Sequence, residues 1–214
     1  MRGLKRFLRI LLAVLVLAAI AFAVFSAYLI STQRAAVARL EDRIDRLKSE
    51  FTPLRFMVLS RSDSSVSARF RFYDAEGREI SSFERSWNGS ELAIDSVLVP
   101  VGDRVLAFPS RVFTDAIAPR RGTVLFGYYN RDGFPAIFDS PSLDGATRAA
   151  LADLFDRVRI FDGPEWSGDP GPLAALKGVY GSAVHDLRRL RVFEVGAVYS
   201  LTVRAAGGIE ILRE

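Results

Sequence analysis

Between Ile10 and Ile30 the chain reads ILLAVLVLAAIAFAVFSAYLI, with hydroxyls only at Ser26 and Tyr28 and no charge. At about 1.5 Å of rise per residue, this stretch makes a helix about 30 Å long, matching the hydrocarbon core of a bilayer. The pattern predicts a transmembrane helix over 10–30, with Tyr28 placed where an amphipathic ring suits the interface. Ala21, Phe22 and Ala23 also form a small-x-small cleavage pattern. The apolar run nevertheless continues past that point, beyond the usual length of a signal peptide's core.

After the span, Val37, Leu40, Ile44, Leu47 and Phe51 recur at steps of three and four, and charged residues fill the other faces. That periodicity predicts an amphipathic stalk helix over 31–52, stopped by Pro53, which disfavours helical geometry at Thr52. The stripe suits either a short parallel coiled coil, giving a homodimer through the stalk, or docking on the chain's own domain. With Val37 at heptad position a, Arg43 would face Lys48 of a partner, a like-charge contact that opposes the dimer.

Beyond Phe56 the period drops to two. Val66, Ala68, Phe70 and Phe72 share one face, with Ser65, Ser67, Arg69 and Arg71 opposite, as in a half-buried strand. Asp74 to Gly77 makes a turn, Ile80 to Trp87 a return strand, and Asn88-Gly89 suits a type I′ hairpin turn. Leu92 to Val101, Arg104 to Phe113 and Val124 to Tyr129 read as further strands of a meander. Leu143, Thr147, Ala150, Leu151, Leu154, Phe155 and Val158 predict a helix over 143–159, with Ser142 and Asp144 at its start. The stretch DGPEWSGDPGP over 162–172 excludes regular structure. Val179 to Leu187 is ambiguous, and Arg191 to Val203 with Ile209 to Leu212 predicts a hairpin. The expected fold of residues 53–214 is α+β and strand-dominated, an antiparallel β barrel or sandwich with one capping α-helix.

Composition changes the picture in two ways. The net charge is +4 and the isoelectric point about 9.7. Residues 1–9 hold Arg2, Lys5, Arg6 and Arg9 without an acid, so the other 25 basic residues balance 25 acidic ones. The domain therefore lacks the excess positive charge of a nucleic-acid binder. The basic tail predicts a cytoplasmic N-terminus and an extracytoplasmic domain, periplasmic or exterior. No cysteine occurs, which excludes disulfides, thiolate metal sites and cysteine nucleophiles.

Candidate chemistry is sparse. Ser182, His185 and Asp186 supply a nucleophile, a base and an acid, but without a strained G-x-S-x-G turn, and a surface or satisfied core histidine is the better reading of His185. One histidine cannot build a common zinc site. Asn130, Asp132 and Gly133 match positions 3, 5 and 6 of a calcium loop over 128–139, yet Tyr128 stands where its first carboxylate belongs, and a hairpin turn explains the same residues. Asp153 and Asp156 read as a solvated helix face. Asn88-Gly89-Ser90 is a glycosylation acceptor only on a eukaryotic secretory route. Glu165 beside Trp166 on the Gly/Pro loop is a candidate contact for a sugar, lipid or protein. Phe126, Tyr128, Tyr129 and Phe134 are candidates for an exposed aromatic patch, with core packing as their other reading.

These observations predict a membrane-anchored, non-enzymatic envelope protein presenting a β-rich interaction or scaffolding domain, with no cofactor. Its expected partners are the bilayer through 10–30 and a protein or polymer of the envelope. As an arrangement, without a shared motif, the layout resembles that of bacterial cell-shape scaffold proteins. The alternatives are a tethered hydrolase using Ser182, His185 and Asp186 or acids around Glu165, and a small-ligand or lipid carrier.

Overall fold

The computed structural model describes residues 50–101, 104–161, 184–185, 191–204 and 208–214. Five long strands come first: β1 (Glu50–Arg61), β2 (Ser65–Tyr73), β3 (Glu79–Asn88), β4 (Leu92–Val101) and β5 (Arg104–Thr114). The short strand β6 (Thr123–Val124), the helical turn α1 (Phe126–Tyr129) and the hairpin strands β7 (Asn130–Arg131) and β8 (Phe134–Pro135) follow. Helix α2 (Gly145–Phe161), β9 (Val184–His185), β10 (Val198–Arg204) and β11 (Ile209–Arg213) complete the described strands and α-helices, beside two short 3-10 turns at Pro119–Arg121 and Ala136–Phe138. One antiparallel sheet has the order β11-β10-β1-β2-β3, a second β6-β5-β4-β9, and a third is the hairpin β7-β8. The domain is strand-dominated with few helices, consistent with a β sandwich. Among the described residues no helix is long and apolar enough to cross a membrane. The predicted span 10–30 and stalk residues 31–49 lie outside them.

The predicted stalk helix ends too late. Residues 50–52 belong to β1, a strand absent from the predicted elements, in which Leu54, Phe56 and Val58 alternate inward and are all buried. Phe51, read as the last member of the helical stripe, lies in β1 with its ring 5.4 Å from Phe138. Pro53 is tolerated in this central strand because the register against β10 slips there. Phe51 pairs with Val203 and Leu54 with Leu201, so one extra residue sits on β1 where a ladder N–H is dispensable.

Asn88-Gly89 does not make a hairpin. Strands β3 and β4 lie in different sheets, and Gly89, at φ +108°, turns the chain from one into the other. Gly89 N–H donates to the Ser64 carbonyl, the Thr114 hydroxyl donates to the Asn88 carbonyl, and Asp115 accepts from the Ser90 and Glu91 amides. Those amides hold the exposed Asp115 carboxyl below its ordinary range. The primed turn sits instead at Asp132-Gly133, with φ of +51° and +85° at the two residues between paired Arg131 and Phe134. The single meander is accordingly two: β1-β2-β3 in one sheet and β4-β5-β6 in the other.

Two other segments differ from the predicted strands. Over 124–129 only Val124 is in a strand, and Phe126–Tyr129 forms one helical turn. Helical spacing puts Phe126 and Tyr129 on one buried side, where strand spacing would have split them across two faces. Over 191–203 the strand begins only at Val198, and Arg191 and Val195 make isolated bridges to Leu92 and Val58. The predicted helix is observed as α2. Asp144 Oδ1 accepts the Thr147 amide at 2.9 Å as its cap, and Thr147, Leu151, Leu154, Phe155 and Val158 are buried at helical spacing. The hairpin β10-β11 is also observed.

Aromatic rings carry the packing. Phe56 stacks on Phe70 and Phe70 on Phe83 within the five-stranded sheet. Phe72 reaches Tyr129 at 5.5 Å, Tyr129 reaches Phe155 of α2 at 5.5 Å, and Phe155 stacks with Phe108 of β5 at 5.9 Å. Trp87 Nε1 donates to the Thr123 hydroxyl at 2.8 Å, tying β3 to β6.

A Cβ on residue 89 would overlap the Asp115 carboxylate and the Thr114 side chain, and its φ suits glycine. Gly89→Ala is expected to destabilise the domain by about 2–4 kcal/mol, measured by chemical denaturation. The buried Asp74 gives a pH-dependent counterpart. Its carboxylate accepts from the amides of Glu76 and Arg78 at 2.9 Å each and from Arg78 Nε at 2.7 Å. Burial opposes its ionisation, but these bonds more than offset that and hold its pKa below the ordinary value. A depressed carboxyl contributes stability above its unfolded pKa and loses it as pH falls through the folded value. Asp74→Asn should therefore cost about 1–2 kcal/mol at neutral pH. Unfolding curves at a series of pH values should show that gap closing below about pH 4.

Candidate functional site

Because β1 and β2 alternate, their odd positions from Arg55 to Met57 and from Arg69 to Tyr73 face away from the buried side. Register then brings together residues far apart in sequence: Arg55 lies directly opposite Arg71, and Met57 opposite Arg69. An open pocket of about 120 Å³ forms there, lined by Arg55, Phe56, Met57, Arg69, Arg71, Tyr73 and Val198. Three guanidiniums line it, and no carboxylate does.

The counter-charges stand outboard. Arg55 Nε donates to Glu214 at 2.6 Å, on the β11 side, and its guanidinium lies 4.6 Å from the Tyr73 ring centre. The bond to Glu214 raises the Arg55 pKa above its ordinary value; burial opposes this and Tyr73 assists. Arg69 Nε donates to Glu84 at 2.5 Å, on the β3 side, and Arg71 is 3.8 Å from Glu79. Like charges directly opposite one another on neighbouring strands are unfavourable. The Arg55 and Arg71 pair nevertheless sets two guanidiniums side by side in the pocket, and the glutamates that offset the charge of the three arginines stand on both flanks. The arrangement can bind an anion. It contains no nucleophile–base pair.

The predicted site residues fall elsewhere. Tyr129, Phe134 and Phe126 are buried, so they form core and not an exposed patch. Tyr129 is 1% exposed and its hydroxyl donates to the Pro109 carbonyl at 2.8 Å. Phe134 lies under the Arg148 guanidinium, 4.3 Å from its ring centre. Tyr128 is half-buried, stacked on Phe83 with 4.0 Å between ring centres. Their burial follows from α1 and the tight hairpin after it, which fold the aromatic run back on both sheets. Glu165, Trp166, Ser182 and Asp186 lie outside the described residues. The backbone of His185 is placed in β9, opposite Val97.

In the segment weighed for calcium, Asn130 Oδ1 accepts the Gly133 amide and closes the hairpin turn, and Asp139 pairs with Arg148. On α2, Asp153 pairs with Arg157 at 3.0 Å and Asp156 with Arg159 at 4.0 Å, both at the surface. The arginine pocket is not legible from the predicted elements because β1, which supplies Arg55 and Met57 beside Arg69 and Arg71 of β2, is not among them. The signal available was the alternation at Leu54, Phe56 and Val58, which places Arg55 and Met57 on the other face.

No protein-family model, no curated protein and no solved structure matches the chain.

Tyr129→Phe removes one hydroxyl and leaves the buried Pro109 carbonyl without that donor. The expected loss is about 1–2 kcal/mol. Tyr128→Phe, whose ring keeps its stack on Phe83, should change stability by less than about 0.5 kcal/mol. Parallel urea titrations of the two variants check the contrast.

Proposed function

We propose that the chain is a single-pass, membrane-anchored, non-enzymatic envelope protein that presents its β-rich domain outside the cytoplasm as an interaction or scaffolding module. The observation that carries the reading is the uncharged apolar run 10–30 behind Arg2, Lys5, Arg6 and Arg9. Its length suits one bilayer crossing, and the basic residues before it favour a cytoplasmic N-terminus. The amphipathic stretch from Val37 onward serves as the stalk, ending before β1 begins at Glu50. The domain's contribution is a solvent-facing sheet with an open cationic pocket, a feature suited to recognition.

The interior supports this reading over that of a lipid carrier. Ring contacts run without a break from Phe56 through Phe70, Phe83, Phe72 and Tyr129 to Phe155, filling space that a carrier would keep open.

Fractionation of cells followed by in-cell crosslinking tests the proposal. The chain is expected in the membrane pellet after an alkaline wash, with its domain open to protease from the extracytoplasmic side and crosslinked to another envelope component. Recovery in the supernatant without detergent would remove the anchor. Crosslinks to lipid alone, or only between copies of the chain, would remove the scaffolding role.

A further inference from the structure

We propose that the pocket on the outer face of the five-stranded sheet receives a single carboxylate from an acidic side chain of a protein partner, an inference that rests on the interaction-module reading. Three features select that ligand. Arg55, Arg69 and Arg71 line the pocket with no acid among them, and a guanidinium fork matches a carboxylate in plane and spacing. Arg71 is the least engaged of the three. Its ion pair to Glu79 spans 3.8 Å and its side chain is 46% exposed, whereas Arg55 and Arg69 each hold a glutamate at hydrogen-bonding distance.

The flanks restrict the charge of the ligand. Glu214 stands on one side, and Glu79 and Glu84 on the other, so a polyanion lying across the face would meet carboxylates on both sides of the pocket. An isolated anion is accommodated where a phosphate chain is repelled.

The walls restrict its stem. Met57, Val198 and the Tyr73 ring offer apolar contact to the methylenes of an aspartate or glutamate. Sugar hydroxyls would find a single side-chain acceptor in the lining itself, the Tyr73 hydroxyl. The pocket thus favours an acidic peptide over an acidic polysaccharide.

The test uses the full chain, 15N-labelled and held in detergent, and follows the arginine Nε–Hε signals by NMR. The probes are N-acetyl-glutamate N-methylamide, its glutamine counterpart and glucuronate. The glutamate probe should give saturable shifts at Arg55, Arg69 and Arg71, with the glutamine probe at least about tenfold weaker. Arg71→Gln should abolish the response. Met57→Glu sets a carboxylate directly opposite Arg69, a favourable cross-strand pair, so it should keep the fold while filling the pocket and blocking the probe. Shifts that are absent, or equal for the two amino-acid probes, would overturn the carboxylate site. Tighter binding of glucuronate than of the glutamate probe would overturn the peptide assignment.

A photo-crosslinker at Ser82, directly opposite Arg71 on β3, and another at Asp153 on α2 separate this failure from failure of the module reading. Protein crosslinks at Ser82 that disappear with Arg71→Gln support the pocket. Crosslinks that survive Arg71→Gln leave the module and remove the pocket from it. No protein crosslink at either position removes both.

Discussion

The Tyr129 hydroxyl donates to the Pro109 carbonyl, and the Leu125 amide donates to the neighbouring Ser110 carbonyl at 2.8 Å. Both acceptors become available because β5 is bulged there: Asp95 pairs with Arg111 and Ser96 with Pro109, leaving Ser110 as the extra residue. A bulge releases backbone groups from the ladder, and here they hold the turn that carries Phe126 and Tyr129. Tyr129 then touches Phe72 of one sheet and Phe155 of α2, while its hydroxyl is bonded to the other sheet. Two carbonyls thus dock the segment around which both sheets and the helix pack.

The second organising fact is closure of the larger sheet by distant segments. β1 lies between β2, its sequence neighbour, and β10, roughly 150 residues away in the chain. Closing so long a loop has a large entropic cost before any contact repays it. Local hairpins such as β1-β2, β4-β5 and β10-β11 can form at lower entropic cost, and the seam between β1 and β10 completes the sheet. Thr52 and Thr202 approach to 3.3 Å across that seam, beside the Pro53 bulge.

Surface electrostatics follow from the same register. An overall balance of charge in the domain conceals local order, because arginines cluster at the centre of the sheet's outer face and glutamates on its flanks. The pocket forms where β1 meets β2, and Val198 of β10 closes its wall. Arg78 by contrast bonds the buried Asp74 and serves to hold a turn.

Periodicity made much of the architecture legible. Val66 to Phe72 alternates strongly enough to show both the strand and its polar face with Arg69 and Arg71, and the Leu151, Leu154, Phe155 and Val158 spacing suits only a helix. Asp132-Gly133 was legible as a turn for the same local reason, since few side chains tolerate positive φ. Other features were not legible because their causes are non-local. Asn88-Gly89 has hairpin chemistry, but Ser64, Thr114 and Asp115 direct the chain into the second sheet. VLFGYY shows no alternation of apolar and polar positions and carries no period of its own, and its helical turn is held by contacts to the carbonyls at the β5 bulge. The sequence by itself determined which residues are buried in the clearly periodic elements, since backbone geometry ties each period to one face. Tertiary structure alone decided that Arg55 faces Arg71 and that Tyr129 is core, because strand register and the Pro109 contact join residues whose separation along the chain carries no periodic signal.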